Sequence, residues 1–170
     1  AKRNKDYESI SEILNYLTVF YYDSGMYKQA IDAYNQMIEI FKQTGNQEML
    51  AHTLSEAGTV LASVYQYDAA IETLEKALDL HKKNDDKKMA LLTCQYIAEV
   101  YANMNDSKNA LKYFKQAIER AHSLNDQQAI GSLQNSIGVV YSKSGNYEMA
   151  LEYYNHALEI EKKANNKKNI

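Results

Sequence analysis

No proline occurs in the 170 residues, and glycine occurs only six times. With the two strongest helix breakers absent or rare, long uninterrupted helices are permitted. Tryptophan is absent and cysteine occurs once, at Cys94. A single cysteine excludes an intramolecular disulfide framework and fits a reducing compartment. No apolar run approaches the roughly 20 residues of a membrane span. Charge of one sign is also lacking: the formal net charge is -3, which gives no support to phosphate-backbone binding as the main role. No signal peptide is visible. The first residue is Ala1 rather than methionine, so the chain is expected to be a piece of something longer. The cytoplasm is the expected compartment.

Recognisable catalytic motifs are missing too. There is no glycine-rich phosphate loop and no Gly-x-Ser-x-Gly elbow. His52, His81, His122 and His156 form no i, i+3 or i, i+4 pair that could clip a metal on a helix. Cys94 sits in a core phase with no histidine near it in sequence, which favours a buried inert thiol. No enzyme activity, metal or cofactor is therefore expected.

Repetition is what the chain has in abundance. Asp6, Asn46, Asp86, Asp126 and Asn166 stand 40 residues apart. Asp and Asn side chains cap helix N-termini by accepting from unpaired backbone N–H groups, so five helix starts in one phase are expected. A second series, Ala30, Ala70, Ala110 and Ala150, repeats at the same interval, as does Met37, Ala77, Ala117 and Ala157. Small residues seven apart share a helix face and allow close approach. Turns are expected at Ser24-Gly25, Tyr65-Gln66, Asn105-Asp106 and Gly145-Asn146. The second has no glycine, so it is expected to differ in detail. His81 and His122 fall near second-helix C-termini, where a cation is favoured.

Each 40-residue unit is thus a helix, a turn and a helix, and stacked units must share a core because one hairpin cannot bury both its faces. Within the units a small position holds Thr18, Gly58, Ala98 and Gly138. The residue three later is Tyr21, Leu61, Tyr101 and Tyr141; the turn aromatic is Tyr27, Tyr67, Ser107 (here replaced) and Tyr147. The second-helix position is Tyr34, Leu74, Phe114 and Tyr154. This pattern resembles the tetratricopeptide repeat over nearly the whole chain. The 40-residue period, where the common unit has about 34, is similar to the longer repeats of Leu-Gly-Asn-type adaptors and of bacterial peptide-sensing or signalling proteins.

The resemblance implies an all-α fold: a right-handed superhelical solenoid of four helix-turn-helix units, about eight helices. One domain over residues 1–170 is expected, with units at 6–45, 46–85, 86–125 and 126–165. Residues 166–170 read as the start of a truncated fifth unit. The implied role is a protein- or peptide-binding interaction module, a scaffold within a larger bacterial signalling regulator or adaptor. The alternative is a self-assembly module stacking through exposed terminal repeats.

In such a solenoid the first helices line a concave groove. Register from the small position places Asn15, Tyr16, Val19 and Tyr22 of the first unit in it. The second unit offers His52, Ser55, Glu56 and Thr59, the third Gln95, Tyr96, Glu99 and Asn103, and the fourth Asn135, Val139 and Ser142. Amide side chains can pair with the backbone of an extended peptide, and tyrosines add rigid amphipathic contact. Glu12, Asp23, Glu56 and Glu99 favour a neutral to basic segment. Lys143 is the lone cation of this face, which disfavours the carboxylate clamp of chaperone-tail receptors. No membrane partner is expected, and nucleic acid is disfavoured.

Overall fold

The computed structural model describes residues 2–168, with side chains for residue 7 and residues 9–164. Eight helices follow one another: α1 (Lys2–Asp23), α2 (Tyr27–Thr44), α3 (Gln47–Ser63), α4 (Tyr67–Lys83), α5 (Lys87–Asn103), α6 (Ser107–Ser123), α7 (Gln127–Lys143) and α8 (Tyr147–Lys168). No strand is present among the described residues. The fold is an all-α helical-repeat solenoid.

The seven connections are one device used seven times. Gly25, Gly45, Tyr65, Asp85, Asn105, Asn125 and Gly145 all have φ between 54° and 80°. The next residue's N–H then reaches back to a carbonyl five residues earlier. Met26 donates to Tyr21 at 2.7 Å, Gln66 to Leu61 at 3.0 Å, and Asn146 to Tyr141 at 2.9 Å. This is the Schellman closure, which satisfies carbonyls that a helix end leaves unpaired. The turn at Tyr65 therefore does not differ from the others, contrary to the sequence expectation. The tyrosine accepts a left-handed backbone at φ 64° because the closure and the packed helices on either side dictate it.

Capping follows the expected residues in part. Asn46 accepts from Met49 N and Asp126 from Ala129 N. Asp106 accepts from Asn109 N at 3.0 Å, and that backbone donor holds its carboxyl below the usual carboxylate range. The helix starts expected at Asp6 and Asn166 are not starts: both positions fall inside α1 and α8, and their side chains lie outside the described set. Position 165 stays helical where 45, 85 and 125 turn left-handed, so nothing ends α8 there. Residues 169–170 of the expected fifth unit lie outside the described residues.

The chain divides into two compact units, Ala1–Asp86 and Lys87–Ile170. In the first, α1 pairs with α2, α3 with α4, and α2 packs on α3; in the second, α5 pairs with α6, α7 with α8, and α6 packs on α7. Leu14, Tyr34, Met37, Phe41 and Leu54 belong to the core of the first unit. The small position explains the hairpin spacing. A Cβ on Gly58 would stand 2.6 Å from Leu74 Cγ, and one on Gly138 would stand 2.6 Å from Tyr154 Cε1. The glycines let the second-helix side chain lie directly on the first helix's backbone. The alanines at 30, 70, 110 and 150 are buried, as is Cys94.

The tyrosines divide. Tyr34 is buried, and Tyr21, Tyr67, Tyr101, Tyr141 and Tyr154 are half-buried. Tyr27 and Tyr147, two of the turn aromatics, are exposed. Tyr101 stacks on Tyr113 with ring centres 5.7 Å apart, and Tyr141 on Tyr153 at 5.4 Å.

Candidate functional site

The first helix of each hairpin carries the expected site residues, and all but Ser55 lie outside the core. Asn15, Tyr16, Val19, Tyr22, His52, Asn103, Asn135 and Val139 are exposed; Glu56, Thr59, Gln95, Tyr96, Glu99 and Ser142 are partly buried. Tyr16 presents most of its ring to solvent, at 77% exposed. Tyr22 is steadied by an edge-on contact with Tyr27, ring centres 5.6 Å apart. Ser55 departs from the expectation. It is buried, and its Oγ lies 3.1 Å from Nε2 of the buried His81. The register that turns its neighbour Glu56 outward turns Ser55 into the α3–α4 contact.

In the first unit the structure brings α1 and α3 residues together around a cleft. Its wider part, about 500 Å³, is lined by Tyr7, Ser11, Glu12, Ile40, Phe41, Thr44, Asn46 and Met49. An adjoining part of about 210 Å³ shares Ser11, Glu12, Phe41 and Met49, and adds Asn15, Met37, His52, Thr53 and Glu56. Of the expected site residues, Asn15, His52 and Glu56 meet here. The wall is apolar where α2 shows through and acidic where α1 and α3 flank it.

His52 Nδ1 lies 3.6 Å from Glu56 Oε2. This carboxylate raises the imidazole above its ordinary value, against the opposing effect of partial burial. His81 goes the other way. Burial lowers it, and Asp86, whose Oδ2 is 3.6 Å from Nδ1, offsets that only in part. The expected cation at the α4 C-terminus is thus a buried group held towards its neutral form, since desolvation disfavours the charge more than the helix end favours it. His122 is exposed at the end of α6.

In the second unit Gln95 Nε2 donates to Glu99 Oε1 at 2.8 Å, which orients both on one face of α5. Asn135 and Val139 stand exposed on α7. Among the described residues, no group of three or more His, Cys, Asp or Glu side chains is placed to hold a metal ion. No helix there is long and apolar enough to cross a membrane.

Thr53 is the residue that sequence reasoning passed over. It stands in the core phase, where the positions 40 residues before and 80 after hold Ile13 and Leu133. That phase masked it, although threonine at 53 and again at 93, in a register that holds Ile13 and Leu133, was a signal. Its Oγ1 is buried and makes no hydrogen bond.

The tetratricopeptide-repeat family model matches residues 9–83 and 88–163. The chain belongs to the tetratricopeptide-repeat family. The two matched stretches stop and restart close to the junction between the two compact units. No curated protein matches the sequence. Several solved structures share the fold. Aspartyl phosphate phosphatase F from Bacillus subtilis is similar with a TM-score of 0.82 at 22% identity, over 94% of this chain and 42% of that one. BtubC (BKLC) from P. vanneervenii gives 0.81 at 17% identity, over 91% and 64%. A Rap protein complexed with competence and sporulation factor gives 0.74 at 19%, over 92% and 44%. This chain therefore spans between 42% and 64% of the length of these tetratricopeptide-like relatives.

Proposed function

We propose that this tetratricopeptide-repeat chain is a protein- or peptide-binding module that uses the first-helix faces of its hairpins, as part of a larger regulator or adaptor of bacterial type. The observation that carries this reading is the α1–α3 cleft. It joins three residues chosen by register alone, Asn15, His52 and Glu56, around a hollow with an apolar floor. Concave, mostly apolar hollows with a few polar groups are where ligands are held. The solved Rap structure with competence and sporulation factor describes that protein, and it supplies a precedent for a partner on this fold. Glu12, Glu56 and Glu99 favour a neutral to basic segment over an acidic one.

Titration with basic and acidic peptide pools tests the reading. The basic pool is expected to bind, and Glu56→Lys with Glu99→Lys to weaken it by about tenfold or more, since like charges at a contact cost a few kcal/mol. A preference for acidic peptides would overturn the charge assignment.

A second reading, self-association through the end hairpins, has its own observation. On α1, Ile10 and Phe20 are 45% and 59% exposed, whereas Leu50 and Val60, the same positions of α3, are 6% and 3% exposed. On α8, Leu151 and Leu158 are exposed, whereas Ile38, at the register of Leu158, is buried. Apolar side chains of α1 and α8 thus stand exposed at repeat positions whose counterparts on α2 and α3 are buried. Light scattering across a concentration series tests it: growth of mass with concentration supports stacking, and a constant monomer mass refutes it.

A further inference from the structure

The peptide-binding reading leaves open what the α1–α3 cleft would recognise, and Thr53 narrows it. A buried threonine in a helix ordinarily satisfies its hydroxyl on a carbonyl of its own helix. Four threonines among the described residues make this bond, buried or not: Thr18 donates to Asn15 O at 2.7 Å, Thr44 to Ile40 O at 2.9 Å, Thr59 to Glu56 O at 2.8 Å, and Thr93 to Met89 O at 2.7 Å. Thr93 stands 40 residues after Thr53, at the same place in the repeat. Thr53 is only 1% exposed, yet its Oγ1 makes no hydrogen bond, and the residue lines the cleft. Burying an unpaired hydroxyl costs roughly 1–3 kcal/mol, so a partner that enters the cleft and meets this oxygen regains what folding gave up.

The surroundings state what that partner must be. Met37, Phe41 and Met49 offer an unbranched, polarizable apolar lining, which suits an aliphatic stem. Glu12 and Glu56 supply two carboxylates. Among the described residues no ion pair engages Glu12, and Glu56 has only the half-exposed His52 at 3.6 Å. An anion is repelled here, and a neutral side chain leaves both carboxylates uncompensated. A long cationic side chain matches all three features at once, with its methylenes on the methionines and its donors on the carboxylates and the hydroxyl.

We propose that the α1–α3 cleft of the first unit is a receptor site for a lysine or arginine side chain of an extended partner segment. The stem lies against Met37, Phe41 and Met49, and the charged head is shared by Glu12, Glu56 and Thr53 Oγ1. This proposal rests on the peptide-binding reading and makes it specific to one pocket and one class of side chain.

The experiment uses N-acetylated, C-amidated fluorescent hexapeptide pools that differ only at one central position, lysine in one and norleucine in the other. Norleucine keeps the stem and deletes the ammonium, and the acetyl group removes the terminal charge as a rival source. The lysine pool is expected to bind about tenfold or more tightly than the norleucine pool, the usual worth of a charged hydrogen bond. Thr53→Val should weaken the lysine pool several-fold and leave the norleucine pool unchanged, whereas Thr53→Ser should retain lysine binding. Glu56→Gln, on a partly exposed helix face and harmless to the fold, should remove most of the lysine preference. Equal binding of the two pools, or wild-type lysine binding by both Thr53→Val and Glu56→Gln, overturns the proposal while the peptide-binding reading stands. No binding of any pool removes both.

Discussion

Thr53→Val and Thr93→Val are the same substitution at the same place in the repeat, yet they should move stability in opposite directions. Valine keeps the β-branched shape and nearly the helix propensity of threonine, so backbone effects cancel in the comparison. At Thr93 the hydroxyl donates to Met89 O; its removal should cost about 0.5–1.5 kcal/mol. At Thr53 the oxygen is buried without a partner, so its replacement by a methyl group among Met37, Phe41 and Met49 should stabilise by about 1 kcal/mol. With a urea slope near 2 kcal/mol/M for a chain of this size, the first unit's midpoint should rise by about 0.5 M and the second's should fall by about as much. Circular dichroism with tyrosine fluorescence in a urea series reads both. A fall in the midpoint for Thr53→Val would refute the reasoning, because it would mean that the hydroxyl is bonded and is not held for a ligand. The rise, paired with lost lysine binding, would mark Thr53 as a residue kept for function at the expense of stability.

Two further tests address the frame around the site. Tyr65 adopts φ 64° while 79% exposed, and a left-handed non-glycine residue carries about 1–2 kcal/mol of strain. Tyr65→Asn, which installs the residue found at Asn105 and Asn125, should raise Tm by about 2–4 °C, less whatever the edge-on contact with Tyr67 contributes; a lower Tm in calorimetry would show that the ring matters more than the backbone. The two histidines of the second hairpin should titrate on opposite sides of their ordinary value of 6.5. His52 is raised by Glu56, so its contribution to stability is present below 6.5 and lost as pH rises through its folded value. His81 is lowered by burial, so its contribution is present above 6.5 and lost as pH falls. Imidazole NMR signals that titrate in the reverse order would refute both assignments.

The sequence was most legible where it repeats. The 40-residue spacing of Ala30, Ala70, Ala110 and Ala150 located the buried seam, because a small residue in that phase has one steric use. The turns were located but not described. Glycine at 25 and 145 announces a left-handed residue, whereas Tyr65 does not, since there the closure and the packing impose the conformation against local preference. Groove positions on α3 were half legible. A helix rotates about 100° per residue, so Glu56 and Ser55 fall on different sides, and the wider arc that register assigned to the face took in both. Thr53 was illegible for a different reason. Periodicity assigns burial but cannot say whether a buried hydroxyl finds a partner. Asp6 and Asn166 show the same limit, for they match the capping series in spelling while the backbone runs through both as helix.

Helices α3 to α7 are all 17 residues long, and a left-handed residue recurs every twentieth position from 25 to 145. The chain therefore counts in whole steps. Adding or removing a complete 40-residue hairpin preserves the phase of every remaining side chain. Inserting one residue inside a helix rotates the rest of that helix by about 100° and moves its buried seam into water. Growth and shrinkage of such a protein are thus confined to integers, with the seven turns as the places where copies can be joined. A designer who wants a longer or shorter receptor face can cut at Asn125, which leaves every residue of the α1–α3 cleft in its place.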